Sequence, residues 1–211
     1  MERKEVSKSV LKRLPVYLTY LKGLPEDGAQ YISATALANA LGLGEVQVRK
    51  DLASVSDGGK PKVGYLRSGL IDDIEQFLGY DNNTDAVIIG AGKLGQALCD
   101  YTGFETYGLN ILAAFDILPA ASSTLRGKPI FGMDQLAAFC KANKVRMGII
   151  TVPAAQAQQV CEELIASGIR AIWNFAPTHL DVPGHILVQN EDMATSLAVL
   201  SMHLQAQKKR D

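Results

Sequence analysis

The chain has 211 residues, 47% hydrophobic and 20% charged, which leaves room for one or two compact units with real cores and excludes wholesale disorder. No run of eighteen apolar residues occurs and the first fifteen residues lack the apolar stretch of a signal peptide, so a cytoplasmic protein without a membrane partner is expected. The net charge of −1 hides a split: residues 1–67 carry 11 Lys and Arg against 7 Asp and Glu, the other 144 carry 10 against 15, and an anionic partner would meet the front.

Residues 7–24 read as a helix with an apolar stripe of Val10, Leu11, Leu14, Leu18 and Leu21, either starting near Pro15 or bent there. Gly23, Pro25 and Gly28 make a turn-rich link. A second helix runs from Ser33, a candidate N-cap, to Gly42, and a third from Glu45 to Val55 follows after Leu43 and Gly44. On the third, Val48, Leu52 and Val55 share one face, while Gln47, Arg49, Lys50 and Ser54 spread over the other. Two helices across a tight glycine turn, the second with cations on its free face, form a helix-turn-helix pattern. Asp57-Gly-Gly-Lys-Pro-Lys-Val-Gly-Tyr65 suits a short basic wing beside it, or a solvated linker. A winged-helix domain over 1–80 is expected, ending at the polar segment 79–84.

From residue 85 strands alternate with helices. Predicted strands are 85–89, 111–116, 128–131, 147–152, 171–175 and 187–189. Predicted helices follow at 96–101, from an Asp134 cap to Ala142, and at 156–167, closed by Gly168. This alternation predicts an α/β domain over 81–190 with a Rossmann-type parallel sheet. Residues 191–211 hold a last helix, with Met193, Leu197, Leu200 and Leu204 on a stripe and Asp192 as a possible N-cap. That stripe suits its own domain or a second protomer.

The first βα junction reads Gly90-Ala91-Gly92-Lys93-Leu94-Gly95, a glycine pattern between a strand and a helix with an acid, Asp116, 21 residues past its last glycine. Gly90 permits the turn, Gly92 lets backbone approach a pyrophosphate, and Gly95 lets helix pack on strand. Asp116 would accept from ribose hydroxyls and repel a 2′-phosphate, and Ile117 and Leu118 offer no arginine, so NAD(H) is favoured over NADP(H). Thr151-Val152-Pro153 and Asn174-Phe175-Ala176-Pro177 follow strands at the expected ligand edge, or simply end those strands.

Catalytic equipment is sparse. Of the three histidines, His179 follows the 174–177 segment, His185 sits beside Pro183-Gly184, and His203 lies in the last helix; no nucleophile–base or metal-ligand spacing occurs. Cys99, Cys140 and Cys161 form no close pair and read as buried thiols. No stretch remains for a substrate domain, so binding of the nucleotide without turnover is expected.

The chain resembles the Rex family of NADH-responsive bacterial repressors. The resemblance rests on Lys12-Arg-Leu-Pro-Val-Tyr17, Val48-Arg-Lys-Asp-Leu52, Lys60 to Tyr65, Gly90 to Gly95, Ala114-Phe-Asp116, Thr151-Val-Pro-Ala154 and Asn174-Phe-Ala-Pro177, in order over nearly the whole length. It implies a homodimer whose C-terminal helix is exchanged between protomers. It also implies inverted-repeat operator DNA as the partner, with NADH as the effector that releases it and NAD+ as a weaker competitor. Arg49 and Lys50 would make the main DNA contacts beside Gln47 and Ser54, with Lys60 and Lys62 in the wing and Ser33 and Thr35 on phosphates. Tyr101 and Asp192 would belong to a switch near the nicotinamide. The family supplies an arginine to that switch from its first helix; this chain has Thr19 there, which carries no charge, and Ala53-Ser-Val-Ser56 departs from the aromatic-containing string common in the family. The alternatives are a small NAD-dependent oxidoreductase using His179, and a DNA-binding regulator answering to coenzyme A or another nucleotide.

Overall fold

The computed structural model describes residues 6–80, 83–119, 121–191 and 193–208. The chain divides into two units, Met1–Asn82 and Asn83–Asp211.

In the first unit, helix α1 (Lys8–Gly23) starts where the Ser7 hydroxyl accepts from the Val10 N–H, and it runs unbroken through Pro15. Leu14, Tyr17, Leu18 and Leu21 form its buried face. Strand β1 (Tyr31–Ile32) leads into α2 (Ala34–Leu41), capped by Ser33 Oγ on the Ala36 N–H and closed by Gly42 in the left-handed region. Helix α3 (Glu45–Val55) follows, and β2 (Tyr65–Leu66) pairs antiparallel with β1. Between α3 and β2 the wing is a single turn: Lys60 and Gly64 exchange backbone hydrogen bonds at 2.9 Å each way.

A further helix, α4 (Arg67–Leu78), has no counterpart among the sequence-based expectations. It starts without a side-chain cap and carries Gly69 in its first turn, so neither usual start signal marks it. Its Leu70 and Ile74 complete a core with Leu37, Val48 and Leu52, each such side chain contributing roughly 2 kcal/mol by leaving water. A Lys22–Glu75 ion pair ties α1 to α4.

The second unit is a six-stranded sheet of β3 (Thr84–Ile89), β4 (Leu109–Asp116), β5 (Ile130–Gly132), β6 (Met147–Ile150), β7 (Ala171–Asn174) and β8 (Leu187–Asn190). Every neighbouring pair is parallel and the spatial order is β5-β4-β3-β6-β7-β8, the Rossmann arrangement in which the order reverses between β3 and β6. Helix α5 (Lys93–Cys99) follows β3, α6 (Leu136–Ala142) follows β5, and α7 (Ala154–Ala166) follows β6. Residues of α6 and α7 share one core with Val87, Phe115 and Ile150, whereas Leu98 and Cys99 of α5 pack on the opposite face with Ile88, Ile111 and Ile149.

Two expectations need correction here. Asp134 is not a helix cap: it lies inside a 3₁₀ turn, Met133–Gln135, and α6 begins after it with no side chain on its first amides. Helix α5 begins at the glycine loop and ends at Cys99, so Tyr101 falls outside it, ahead of a 3₁₀ segment, Thr102–Tyr107. The last helix, α8 (Met193–Lys208), is where the sequence places it, and Leu197, Leu200 and Leu204 are exposed on it together with Val199 and Met202. Its suggested cap, Asp192, lies outside the described residues.

Candidate functional site

The glycine loop leaves β3 at Gly90, whose φ of +100° suits a residue without a side chain. A Cβ on Gly95 would collide with the Gly90 carbonyl oxygen, so glycine there sets how closely α5 approaches the loop. At Gly92 the opposite holds: nothing lies within 4 Å of a Cβ position, and the backbone faces open space. These are the three roles a pyrophosphate-binding turn requires. Asp116 closes the loop from β4: its Oδ2 accepts from the Ala91 N–H at 2.7 Å and its Oδ1 from the Leu118 N–H at 3.1 Å. From β6, the Thr151 hydroxyl stands 2.8 Å from the Gly90 carbonyl and 3.0 Å from that of Ile89.

Between them is a cavity of about 170 Å³ that brings together Gly90, Gly92, Asp116, Thr151, Val152 and Pro153 from the sequence-based set. It adds Ile117, Met133 and Gln156, which sequence reasoning did not assign. The signal for Gln156 was its place in the first turn after Pro153; Met133 carries no pattern and is placed by the 3₁₀ turn. Ala91 caps the cradle through its amide. Lys93 and Leu94 start α5 with exposed side chains. The residues fit an adenine dinucleotide: a side-chain-free approach at Gly92, a carboxylate with lone pairs to spare at Asp116, and apolar walls from Ile117 and Val152.

Asn174 is fully buried, and its amide donates to the Thr178 carbonyl and Asn190 Oδ1, each at 2.9 Å, while its Oδ1 accepts from the Ala176 N–H at 3.0 Å. These bonds shape the Phe175-Ala176-Pro177 loop. Phe175 packs against Trp173, which meets Phe104, which meets Tyr101 edge-on at 4.8 Å. The Tyr101 ring occupies the space a Cβ on Gly103 would fill, and it is 56% exposed. Thr19 donates its hydroxyl to the Pro15 carbonyl at 2.9 Å, within its own helix. His179 is exposed.

In the first unit, Gln47, Arg49 and Lys50 are exposed on α3, and Arg49 pairs with Glu45 one turn earlier. The Ser54 hydroxyl donates to the Asp51 carbonyl at 2.6 Å, and Ser33 Oγ is engaged as the α2 cap, next to exposed Thr35. Lys60 and Lys62 are exposed on the wing turn, Lys62 with a φ of +62°, a value costly for a residue with a Cβ. Behind α3 lies a cluster that sequence reasoning missed. Arg13 of α1 donates from Nε to Asp51 Oδ2 at 2.7 Å and from Nη2 to Oδ1 at 2.9 Å, and the Tyr17 hydroxyl donates to Oδ2 at 2.7 Å. The Asp51 carboxylate holds the Arg13 guanidinium above its ordinary pKa, and burial, with the Asp51 bond, pushes the Tyr17 phenol up to about 12. The available signal was an acid, Asp51, wedged beside the apolar residues Val48, Leu52 and Val55, where it needs a partner.

Comparison with known proteins decides the family. A model described as "CoA binding domain" matches residues 81–178, and one described as "Putative DNA-binding protein N-terminus" matches residues 5–53. The Redox-sensing transcriptional repressor Rex of Treponema denticola is 41% identical over 199 residues, 94% of this chain and 95% of the relative. The chain belongs to the Rex family. The Rex protein of Clostridium botulinum, 39% identical, spans 98% of this chain and 99% of its own length. Among solved structures, the Rex-family repressor RSP in complex with NAD+ and operator DNA is 34% identical, with a TM-score of 0.90 over 97% of this chain and 95% of that one. RSP in complex with NADH gives 33% and 0.86, over 97% of each. The Rex family is one of redox-sensing transcriptional repressors, and the chain is a member of it rather than an enzyme.

Proposed function

We propose that this chain represses transcription as a homodimer, with α3 and the Lys60–Gly64 turn on operator DNA, and that NADH in the Gly90–Asp116 crevice releases it. The observation that carries this reading is the presence of both sites in one chain: an exposed cationic helix face, and a glycine cradle closed by a carboxylate. When bound, the dinucleotide supplies a pyrophosphate and a nicotinamide whose redox state differs between the two forms. The chain's own part is to orient it: loop amides toward phosphate, Asp116 toward the ribose, Thr151 fixing the loop against β6. For NADH to act as a signal it must favour the non-binding state more than NAD+ does, so discrimination lies at the nicotinamide end. We assign Tyr101 and Asp192 to that end. Thr19, with its hydroxyl turned onto its own helix, supports a switch without an ion pair at that position.

A homodimer is supported by apolar surface on the second unit. Leu197, Leu200, Met202 and Leu204 of α8 are more than half exposed, and Leu187 of β8 is 72% exposed. An open cleft of about 510 Å³ lies along Leu109, Met147, Trp173 and Leu187. A second copy would cover such surface, which monomers rarely leave bare.

The deciding experiment is fluorescence anisotropy of labelled operator duplex titrated with NADH and NAD+ at fixed salt. Release by micromolar NADH, and far less by NAD+, is the expected result; no effect of either overturns the effector assignment. The family model over 81–178 carries coenzyme A in its description, so coenzyme A is the competitor to add. Displacement of NADH by coenzyme A at similar concentration would favour the second reading.

A further inference from the structure

Among the described residues Asp51 is the one charged side chain the fold buries, and what it holds in place reaches the exposed face of α3. Arg13 meets Asp51 fork on fork, with Nε and Nη2 on the two carboxylate oxygens, a geometry that fixes the plane of the guanidinium. Its Nη1 is left over, and Gln47, one turn before Asp51 on the same helix, lies against it. Only one orientation of the Gln47 amide puts an acceptor against that nitrogen. In it, Gln47 Oε1 accepts from Arg13 Nη1 at 2.8 Å and lies 2.9 Å from Nε, whose one hydrogen is given to Asp51. The reverse would set an NH₂ against a guanidinium, donor against donor. Gln47 is exposed, and with its carbonyl engaged by Arg13 the NH₂ is the end of the amide left to serve a partner.

We propose that Arg13 is a positioning residue for DNA recognition: by holding the Gln47 carbonyl it makes Gln47 a donor-only contact. The inference rests on α3 being the DNA-reading helix. A free glutamine recognises adenine by donating to N7 and accepting from N6, a paired contact that needs both ends of the amide. With the carbonyl engaged by Arg13, that pairing is closed. Gln47 then serves an acceptor on the DNA, either a phosphate oxygen or an acceptor at a base edge, and Arg13 sets this without touching DNA itself.

The test is a base-preference matrix, measured by competitive binding to every single-position variant of an operator selected from random duplexes. The wild type, Gln47→Ala, Arg13→Leu, the double variant and, as a control on the helix assignment, Lys50→Ala are compared. For Gln47→Ala, a loss of about 2- to 10-fold, equal across all sequences, identifies a phosphate acceptor. A loss confined to a position bearing guanine or thymine identifies a base-edge acceptor, and either supports the proposal. A loss confined to an adenine position overturns it. Arg13→Leu frees the carbonyl and is expected to gain a preference for adenine at one position per half-site, which disappears in the double variant. A folded Arg13→Leu protein whose matrix overlays the wild type also overturns the proposal. Should that variant not fold, by circular dichroism, the Gln47→Ala result decides alone. If Lys50→Ala and Gln47→Ala both leave affinity unchanged, the reading of α3 as the DNA helix fails. If Gln47→Ala alone is silent, that reading stands and the Arg13 proposal fails.

Discussion

The proposed nucleotide crevice and the proposed DNA face are built from opposite materials. The crevice is backbone: Gly90, Gly92 and Gly95 work by lacking side chains, and the Asp116 carboxylate accepts from the Ala91 amide. The DNA face is side chain: Arg49, Lys50, Lys60 and Lys62 are long and exposed, and Arg49 is occupied by Glu45 on its own helix. A backbone site is pre-formed and tolerates little change. A side-chain site is tunable and depends on the groups that orient it. The two should therefore fail differently under mutation.

The largest effect is expected behind the DNA face. Asp51→Ala strips the partner from Arg13 and from the buried Tyr17 hydroxyl and should cost about 4 kcal/mol, read as a drop in the first unit's thermal midpoint. Next, Gly95→Ala forces α5 away from the Gly90 carbonyl and should cost about 3 kcal/mol, whereas Gly92→Ala should change stability by less than about 0.5 kcal/mol. The same Gly92→Ala protein should bind NADH at least tenfold more weakly by titration calorimetry, because the new methyl enters the ligand's space. Equal behaviour of the two alanines would break the contrast between a packing glycine and an approach glycine. At the wing, Lys62→Gly relieves the φ of +62° and should raise stability by about 1 kcal/mol while lowering the salt slope of DNA binding by about 1. An unchanged slope would remove the wing from the DNA interface.

The smallest effect is in pH. The Tyr17 phenol is held near 12 against an ordinary value of 10. The unfolded chain therefore releases this proton first, and the stability contributed below pH 10 is lost as pH rises from 10 towards 12. A Tyr17→Phe protein should lack that part of the fall in melting temperature.

The crevice was the more legible of the two sites, for the same reason that it is rigid. Glycines at fixed spacing after an apolar strand, with an acid at the end of the next, leave a pattern in the chain because each is required by backbone geometry. The helix-turn-helix was legible through Ser33, Gly42 and the apolar spacing of α3. What escaped was set by tertiary neighbours. Arg13 and Asp51 are 38 residues apart and nothing local pairs them. Helix α4 lacks a capping side chain and is held by Leu70 and Ile74 against the other helices. The bonds by which buried Asn174 clasps its own loop escaped as well, since Asn190 and Thr178 are brought to it by the fold.

That clasp extends further along the chain. Asn174 bonds Asn190, the Glu191 N–H donates to the Asn174 carbonyl at 2.8 Å, and the Trp173 indole donates to the Glu191 carboxylate at 2.9 Å. The root of α8 is thus bolted to the end of β7, two residues before a helix of 16 residues, about 24 Å long. It is a lever with a short arm: a tilt of about 5° at the clasp carries the far end by about 2 Å, so a rearrangement of the β7 loop too small to notice there would be read as a change of register by whatever grips the tip of α8.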